Sequence, residues 1–327
     1  MPALTDRFGR LHDDLRLSIT DRCNLRCVYC MDDDVRFRPR DELLSVAEIG
    51  RIAKVARSLG VRSVRVTGGE PLVRREVVEI VATLAEMGFE DVSLTTNGTR
   101  LAGLAAQLAE AGLQRVNISC DSLREERFPE IRRRGRLEEV LGAMEAAEAV
   151  GLRPLKVNVV LARGVNDDEI LSFAEFARAH RRIVRFIELM PLDSAGAWCR
   201  DQVVPSEEVI ATIAQRYPLE PVHVAGDQAP AERYRFVDGG GEIGVIATVT
   251  RPFCGTCNRL RVTADGAVRN CLFSDEERSL RDLMRSGADD GMLVAAFLGS
   301  LADKRAGHGI DEPGFLRSRR SMSMIGG

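Results

Sequence analysis

A repeated alternation of strand-like and helical segments constrains the fold of this chain more than any other feature. Six short segments rich in β-branched residues follow one another through about residue 190, with helical patterns between them. They are LRLSIT (15–20), VRSVRVTGG (61–69), DVSLTTNG (91–98), RVNISCDS (115–122), LKVNVVLARG (155–164) and RIVRFIELM (182–190). Repeated strand–helix units form parallel sheets with right-handed crossovers. A complete eight-unit barrel takes about 250 residues, so six units predict an α/β fold with an incomplete (β/α)6 TIM-like barrel.

The helical segments carry local start and stop signals. The first has Ser45 and Glu48 at capping-box spacing, apolar residues at helical spacing, and Gly60 at its end. A second helix is predicted from about Glu76 to Met87, again followed by a glycine.

An incomplete barrel leaves sheet edges that something must cover. The less regular sequence after residue 195 is the predicted cover, an α+β region that closes the open side. The predicted organisation is an N-terminal arm (1–12), the barrel (13–195), a C-terminal domain (196–317) and a flexible tail ending in Gly-Gly (318–327).

Composition excludes several function classes. The net charge of −3 argues against general nucleic-acid binding, although 46 Lys and Arg leave room for a local anion site. No apolar run approaches the roughly 18–20 residues of a membrane span, and the N-terminus lacks the apolar core of a secretory signal. We therefore expect a cytoplasmic protein, in which clustered cysteines bind metal or act in redox chemistry rather than form disulfides.

Three cysteines, Cys23, Cys27 and Cys30, follow the first predicted strand with the spacing C-x3-C-x2-C. Zinc would need a fourth ligand from elsewhere in the chain. Three thiolates on one loop can instead hold three irons of a 4Fe–4S cube and leave the fourth iron open to a small molecule. Barrel chemistry is found at the carboxyl ends of the strands, where this loop lies.

A second set, Cys254, Cys257 and Cys271, has the spacing C-x2-C-x13-C. A predicted hairpin over 259–273, turning at Asp265-Gly266, shortens the long gap. Counting outward from that turn pairs Ala264 with Ala267, Val262 with Arg269 and Leu260 with Cys271. Again there is no fourth cysteine, and zinc is the alternative to a second open 4Fe–4S cluster. His12, His180, His223 and His308 lie in no ligand spacing and are interpreted as surface or loop residues.

Several arginines and a lysine occupy strand positions whose side chains are predicted to point into the barrel. Arg259 and Arg261 share one face of the extended segment after Cys257 and could clamp a polyphosphate, although a solvated arginine face is the simpler interpretation of two arginines alone. Arg16, Arg65 and Lys156 lie on other strands. Because strand interiors rarely accept unpaired cations, this pattern favours an anionic substrate.

The first cysteine set, with the aromatic Tyr29 before its last cysteine, resembles the radical S-adenosylmethionine enzymes. TGGEP (67–71) is similar to the methionine-binding GGE motif of that family, and TTNG (95–98) and SCD (119–121) end strands at the same rim. The resemblance implies that the open iron binds S-adenosylmethionine. Cleavage of the S–C5′ bond would then yield a 5′-deoxyadenosyl radical.

From about residue 7 to 327, both cysteine sets, CNRLRVTADG (257–266) and the terminal IGG together resemble the GTP 3′,8-cyclase family of molybdenum cofactor (molybdopterin) biosynthesis. The resemblance implies two 4Fe–4S clusters and S-adenosylmethionine as cofactors, and GTP as substrate. The radical would take hydrogen from ribose C3′, and the carbon radical would attack guanine C8, giving (8S)-3′,8-cyclo-7,8-dihydroguanosine 5′-triphosphate. A cyclic pyranopterin monophosphate synthase would act next. The resemblance names no electron donor and is compatible with a homodimer.

The same resemblance assigns residues by motif. Cys23, Cys27 and Cys30 would hold the first cluster, and Cys254, Cys257 and Cys271 the second. The implied S-adenosylmethionine contacts are Tyr29, Gly69, Ser119 and Met190. The implied GTP contacts are Arg16, Arg65, Thr95, Lys156, Arg259, Leu260 and Arg261, with Arg259 and Arg261 also catalytic. The resemblance implies that the terminal IGG reaches the active site. Without the resemblance, the composition of this segment indicates a disordered tail.

Some residues depart from the family pattern, and two other functions stay open. Cys120 is expected to be a small buried hydrophobe, Cys199 lies in an irregular loop, and Asp32–Asp34 are expected to be solvated. A different radical S-adenosylmethionine enzyme with an auxiliary cluster, such as a peptide-modifying one, is the first alternative. A zinc-stabilised binding protein without catalysis is the second.

Overall fold

The computed structural model describes residues 3–193, 196–223, 228–313, 315 and 317–326. The strands are β1 Asp14–Ser18, β2 Ser63–Thr67, β3 Asp91–Thr96, β4 Arg115–Ser119, β5 Lys156–Leu161, β6 Ile183–Glu188, β7 Leu219–Val222, β8 Glu232–Phe236, β9 Glu242–Ile246, β10 Arg259–Val262, β11 Ala267–Arg269 and β12 Arg278–Ser279. The helices are α1 Val46–Ser58, α2 Val77–Ala85, α3 Ala105–Glu110, α4 Arg127–Arg132, α5 Leu137–Ala149, α6 Ile170–His180, α7 Ser206–Ala214, α8 Leu280–Arg285, α9 Asp290–Ala302 and α10 Met322–Ile325. Short 3-10 turns cover Arg40–Glu42, Pro71–Val73, Asp167–Glu169, Arg200–Gln202 and Cys254–Thr256.

The six predicted strands form one parallel sheet in chain order, β1 to β6. Strands from the C-terminal region extend both of its edges. On one side β10 pairs parallel to β1, and on the other β9 pairs parallel to β6. The antiparallel strands β11 and β12 continue the first side, and β8 and β7 the second. Among the described strands, β7 and β12 end the sheet and no ladder joins them.

The first helix forms where its capping signals predict it. The Ser45 hydroxyl accepts a hydrogen bond from the Glu48 amide at 3.2 Å, and the Glu48 carboxylate accepts one from the Ser45 amide at 2.8 Å. This reciprocal pair satisfies two amides that have no partner within the helix. The apolar stripe of α1, which includes Ile49 and Ile52, is buried against the sheet.

The inner strands place their polar residues inside the barrel and their apolar residues outside. In β1, Leu15 and Leu17 are fully buried under the helices, whereas Asp14 and Arg16 occupy the opposite face. The same alternation of two residues recurs along β2 to β5. A barrel interior is ordinarily packed with branched apolar side chains. This one is instead lined with charge, which suits a polar ligand.

The β10–β11 hairpin turns where the sequence predicts, but its predicted register was wrong by one residue. Arg261 lies opposite Arg269 and Val262 opposite Val268. The Thr263 amide donates to the Ala267 carbonyl, which closes a three-residue loop that ends at Gly266 with φ +82°. A turn followed by a left-handed residue is the usual three-residue hairpin loop, so counting pairs from a two-residue loop misplaced every pair.

The C-terminal segment, predicted to be a flexible tail, has a defined structure over its described residues. It contains α10, and Ile325 is 1 % exposed in a small apolar cluster with Leu192 and Phe273. Burial of Ile325 inside the barrel mouth is what orders the segment. Gly327 lies outside the described residues. No helix among the described residues is long and apolar enough to span a membrane.

Candidate active site

The first cysteine set lies on the loop after β1, and all three thiols are free. Cys27 is buried, and Cys23 and Cys30 are half-buried. Burial raises the pKa of Cys23 to about 12 and also raises the pKa of Cys27 and Cys30. Thiols in such surroundings hold a charge when a metal or a nearby cation compensates it.

Hydrogen-bond donors surround the sulfur atoms, as they do around cluster ligands. The Leu25 amide lies 3.4 Å from Cys23 Sγ, and Asn97 Nδ2 lies 3.9 Å from the same atom. Arg132 Nη1 lies 3.5 Å from Cys27 Sγ. Among the described residues, no three His, Cys, Asp or Glu side chains come close enough to hold a single metal ion. A cube needs no such group, because each thiolate binds a different iron. Three free, largely buried thiols on one loop, with donors near the sulfurs of Cys23 and Cys27, fit a 4Fe–4S cluster.

The GGE segment after β2 packs against this loop. A Cβ on Gly69 would lie 2.6 Å from the backbone oxygens of Asp21 and Arg22, so only glycine fits. The Glu70 carboxylate is 1 % exposed and accepts hydrogen bonds from the Thr96 hydroxyl at 2.7 Å and from the Asn97 amide at 2.6 Å. Glu70 therefore connects the loop after β2 with the loop after β3. Gly69 lets the loop after β2 pack closely against the backbone of the cysteine loop.

The remaining predicted S-adenosylmethionine contacts lie near the same rim. Tyr29 and Met190 both line an apolar cavity of about 180 Å³ beside the cysteine loop, together with Val28, Ile131 and Trp198. Ser119 ends β4 and lies in register with Asn158. Met190 also lines the barrel cavity, so it lies between the two cavities.

The second cysteine set lines the wall of the barrel cavity and of a second cavity of about 440 Å³. Cys254, Cys257 and Cys271 are each half-buried and free. Lys304 Nζ lies 3.9 Å from Cys257 Sγ, and its side chain is 3 % exposed. This buried cation compensates thiolate charge, so the second set also fits a cluster.

Three arginines lie side by side across the barrel floor. Strand register places Arg261 opposite Arg16, and Arg16 opposite Arg65. We call Arg261, Arg16 and Arg65 the arginine row. Burial lowers the pKa of all three, that of Arg261 to about 9. The charge of Arg16 contributes to the lowering at Arg65 and Arg261, and the charge of Arg259 contributes at Arg16 and Arg261. Like charges directly opposite each other destabilise a sheet, so this arrangement favours the binding of an anion.

The barrel cavity of about 180 Å³ brings five of the seven predicted GTP contacts together. It is lined by the arginine row, Thr95 and Arg259 as well as by Met190 and the second cysteine set. Arg259 Nε and Nη2 are buried without a hydrogen-bond partner, and its guanidinium lies 4.4 Å from the centre of the Phe253 ring. Unpaired buried guanidinium groups of this kind are ready to receive a phosphate.

Two predicted substrate contacts do not line this cavity. Lys156 lies on the inward face of β5, and burial together with Arg185 lowers its pKa to about 7. Leu260 is 1 % exposed in the hydrophobic core. Its side chain alternates with those of Arg259 and Arg261 and faces the helices, so the assignment of Leu260 as a GTP contact stays a prediction.

The tail closes one side of the site. Arg261 Nη1 donates to the Gly326 carbonyl at 2.8 Å. A Cβ on Gly326 would lie 2.6 Å from Thr67 Oγ1 and 2.7 Å from Ser18 Cβ, so Gly326 lies between the carboxyl ends of β1 and β2.

Two family models match this chain. Residues 17–177 match the Radical SAM superfamily, and residues 182–310 match Molybdenum Cofactor Synthesis C. A protein of Corynebacterium glutamicum named GTP 3′,8-cyclase is 45 % identical over 336 residues, covering 99 % of this chain and 89 % of that protein. The chain belongs to the GTP 3′,8-cyclase family. A Rhodopirellula baltica member of that name is 45 % identical over 99 % of this chain and 92 % of its own length.

Solved structures confirm the radical S-adenosylmethionine fold. Streptococcus suis SuiB bound to S-adenosylmethionine superposes with a TM-score of 0.60 at 14 % identity, covering 88 % of this chain and 69 % of that one. Native anSMEcpe with bound AdoMet gives a TM-score of 0.53 at 16 % identity, covering 85 % of this chain and 81 % of that one.

The structure adds site residues that the sequence interpretation of this family member missed. Asn158 and Arg185 line the barrel cavity, and Arg185 Nε lies 2.9 Å from Asn158 Oδ1. Period-two counting from Lys156 would have found Asn158. His308, interpreted as a surface or loop residue, is half-buried and lines the barrel cavity and the cavity of about 440 Å³. His12 lies in a loop but is 1 % exposed, with Nε2 3.0 Å from Asp6 Oδ2.

The two remaining cysteines behave as expected. Cys120 is fully buried in the core, where burial raises its pKa to about 12, and Cys199 is exposed. Of the acidic run, Asp33 and Asp34 are exposed and Asp32 is half-buried.

Proposed function

We propose that this protein cyclises GTP to (8S)-3′,8-cyclo-7,8-dihydroguanosine 5′-triphosphate, the first step of molybdopterin biosynthesis. One observation carries the proposal. A single cavity is lined by the arginine row, by the second cysteine set and by Met190, which also lines the space beside the first cysteine loop. A nucleoside triphosphate is a ligand that needs positive charge at one end and can be held at the other by an open iron.

The first site prepares the radical. Cys23, Cys27 and Cys30 would hold a 4Fe–4S cluster which, with S-adenosylmethionine bound, supplies the 5′-deoxyadenosyl radical. Gly69 lets backbone groups approach the cofactor, and Tyr29, Ser119 and Met190 lie at the same rim. The apolar side chains around Tyr29 and Met190 exclude water, which protects a reactive intermediate.

The second site holds the substrate. Arg16, Arg65, Arg259 and Arg261 would pair with the triphosphate, with Thr95 beside them and Lys156 nearby on β5. Cys254, Cys257 and Cys271 would hold a second 4Fe–4S cluster that presents the guanine. Arg259 and Arg261 belong to the strand that begins two residues after Cys257, so they orient phosphate and base with respect to each other.

Partners follow from the chemistry. The reaction needs a one-electron reductant, and the cyclic product is consumed by a cyclic pyranopterin monophosphate synthase. No nucleic acid or membrane is required. A homodimer and a cytoplasmic location remain predictions from the sequence.

The test is an anaerobic assay of reconstituted, reduced protein with S-adenosylmethionine and either GTP or ATP. We expect about eight irons per chain, from two cubes. We also expect formation of 5′-deoxyadenosine and consumption of GTP but not ATP. Formation of 5′-deoxyadenosine with GTP unchanged would refute the substrate, and a colourless zinc protein would refute the enzyme.

Cys271→Ala separates the two sites. It should lose up to about four irons, retain cleavage of S-adenosylmethionine and abolish GTP turnover. The matched control is Cys199→Ala, which removes an exposed cysteine outside both sets and should leave iron content and turnover unchanged. Undiminished GTP turnover by Cys271→Ala would contradict the assignment of the second site.

A further inference from the structure

The C-terminal end of α4 is hydrogen-bonded to the first cysteine loop. The Arg26 amide donates to the Arg132 carbonyl at 3.1 Å, and the Val28 amide donates to the Ile131 carbonyl at 3.0 Å. These two bonds flank Cys27 in the chain. Arg133 then turns away with φ +58°, which ends the helix and fixes the backbone that carries Arg132.

The Arg132 side chain bridges a cluster ligand and a carboxylate. It is 3 % exposed, with Nη1 3.5 Å from Cys27 Sγ and Nη2 2.8 Å from Asp121 Oδ2. Asp121 Oδ2 also accepts the Tyr29 hydroxyl at 2.5 Å, and Asp121 Oδ1 accepts the Val160 amide at 2.9 Å. One buried ion pair therefore connects a sulfur of the first cluster with the tyrosine of the cofactor cavity.

We propose that Arg132 and Asp121 are positioning residues that set the reduction potential of the first cluster in opposite directions and hold Tyr29 in place. The inference rests on the proposed assignment of a 4Fe–4S cluster to Cys23, Cys27 and Cys30. Reduction adds negative charge to the cluster, and a cation that donates a hydrogen bond to a ligand sulfur stabilises that charge. Asp121 neutralises part of the arginine charge and so limits the effect.

The burial of the pair supports this role. A charge pair almost without solvent exposure acts through a low dielectric, so it affects the cluster more than a surface pair would. Burying the two charges is costly, and apolar residues of similar size would often stabilise the fold as well. The pair therefore has a use beyond holding α4, which the two backbone bonds already do.

The test compares Arg132→Gln and Asp121→Asn with the control Arg133→Gln, whose parent side chain is exposed and pairs with Asp33 at 2.7 Å. The full-length holoenzyme is titrated with dithionite and viologen mediators while electron paramagnetic resonance is recorded. The first cluster is identified by the change of its signal when S-adenosylmethionine is added. We expect Arg132→Gln to lower the equilibrium constant for reduction at least tenfold, a shift of about 59 mV to lower potential. Asp121→Asn should shift the potential upward, and Arg133→Gln should not shift it.

Opposite shifts distinguish charge from damage, since a purely structural role would lower iron content or move both variants the same way. Arg132→Gln leaves Asp121 buried without its partner and could fail to fold. The double variant Arg132→Gln/Asp121→Asn removes both charges, should fold with the first cluster loaded, and should have a potential between those of the single variants. Unchanged potentials, or shifts of one sign, with full iron content would overturn the inference. An absent cluster signal in the wild-type protein would instead refute the proposed function.

Discussion

At the scale of single residues, the barrel interior carries more positive charge than its own carboxylates can balance. Asp14 pairs with Arg16 at 3.0 Å, yet Arg65, Arg185 and Lys156 lie in the same interior. Burial and these cations lower the pKa of Lys156 from 10.5 to about 7. The ligand-free protein is therefore prepared to take up a proton at Lys156 when an anion arrives.

Lys156 gives a prediction about pH. At about pH 8 the free lysine is largely neutral, and a bound triphosphate raises its pKa, so GTP binding should take up to about one proton. Calorimetry in two buffers of different ionisation enthalpy measures this number. Lys156→Met should abolish the uptake, whereas Lys54→Met, at an exposed site on α1, should keep it. Equal uptake by wild type and Lys156→Met would contradict the assignment.

The same group makes stability depend on pH. The pKa of Lys156 is about 7 in the folded state against 10.5 for an ordinary lysine. Between these values the unfolded chain binds more protons, so the free energy of unfolding of the ligand-free protein should rise with pH. The destabilisation caused by burying Lys156 is fully present below about pH 7. Lys156→Met should therefore make the free energy of unfolding depend less on pH.

Residue identities in the site were predictable where a motif or a strand period marks them, and not where the fold alone brings residues together. The cysteine sets and Arg16, Arg65, Arg259 and Arg261 are visible in the sequence. Arg132 and Lys304 are not, because 105 and 47 residues separate them from the sulfurs they approach. No local pattern encodes such a contact.

At the scale of elements, the arginine row is a property of strand register rather than of any one strand. Parallel pairing of β1 with β2 and β10 aligns three guanidinium groups. The strands themselves were predictable from their β-branched runs, and α1 from its capping box. The hairpin register was not, because Asp265-Gly266 fits loops of two or three residues and each shifts the pairing by one.

The substitution Arg65→Met tests how much the repulsion between the aligned arginines lowers the free energy of unfolding. Arg65 lies next to Arg16, and the one hydrogen bond that its side chain makes to the described residues is to Ser93 at 3.2 Å. Removal of Arg65 should therefore relieve repulsion. We expect the ligand-free protein to gain about 1 kcal/mol in free energy of unfolding, with GTP affinity reduced about tenfold or more. Denaturant unfolding in buffer without phosphate, and GTP titration, measure the two effects. Arg75→Met, at an exposed arginine, should change neither; a destabilised Arg65→Met protein would argue against repulsion.

At the scale of the whole molecule, the two matched family regions share one sheet. The division near residue 180 falls immediately before β6, whose outer edge pairs with β9. Ion pairs join the regions elsewhere, with Arg285 Nε 2.8 Å from Glu48 Oε1 and Arg51 Nε 2.8 Å from Asp290 Oδ1. The sequence predicted that the C-terminal region covers the barrel, but not that it supplies parallel strands to both edges.

A continuous sheet predicts that the regions fold together. Residues 13–195 alone would expose both edges of the six-stranded sheet, so we expect this fragment to aggregate or remain unfolded. Circular dichroism and sedimentation measure the outcome, with the full chain as control, for which we expect one unfolding transition. A monomeric, folded fragment would show that the barrel is an independent unit.

The inverted polarity of the barrel has a practical consequence. An interior with an arginine row and few carboxylates behaves as a small anion exchanger before any nucleotide reaches it. Inorganic phosphate, sulfate or pyrophosphate would occupy the same guanidinium groups and compete with GTP. The measured affinity for GTP should therefore depend on the anions in the buffer. Chloride or acetate buffers of low ionic strength would leave the guanidinium groups of the arginine row free for GTP.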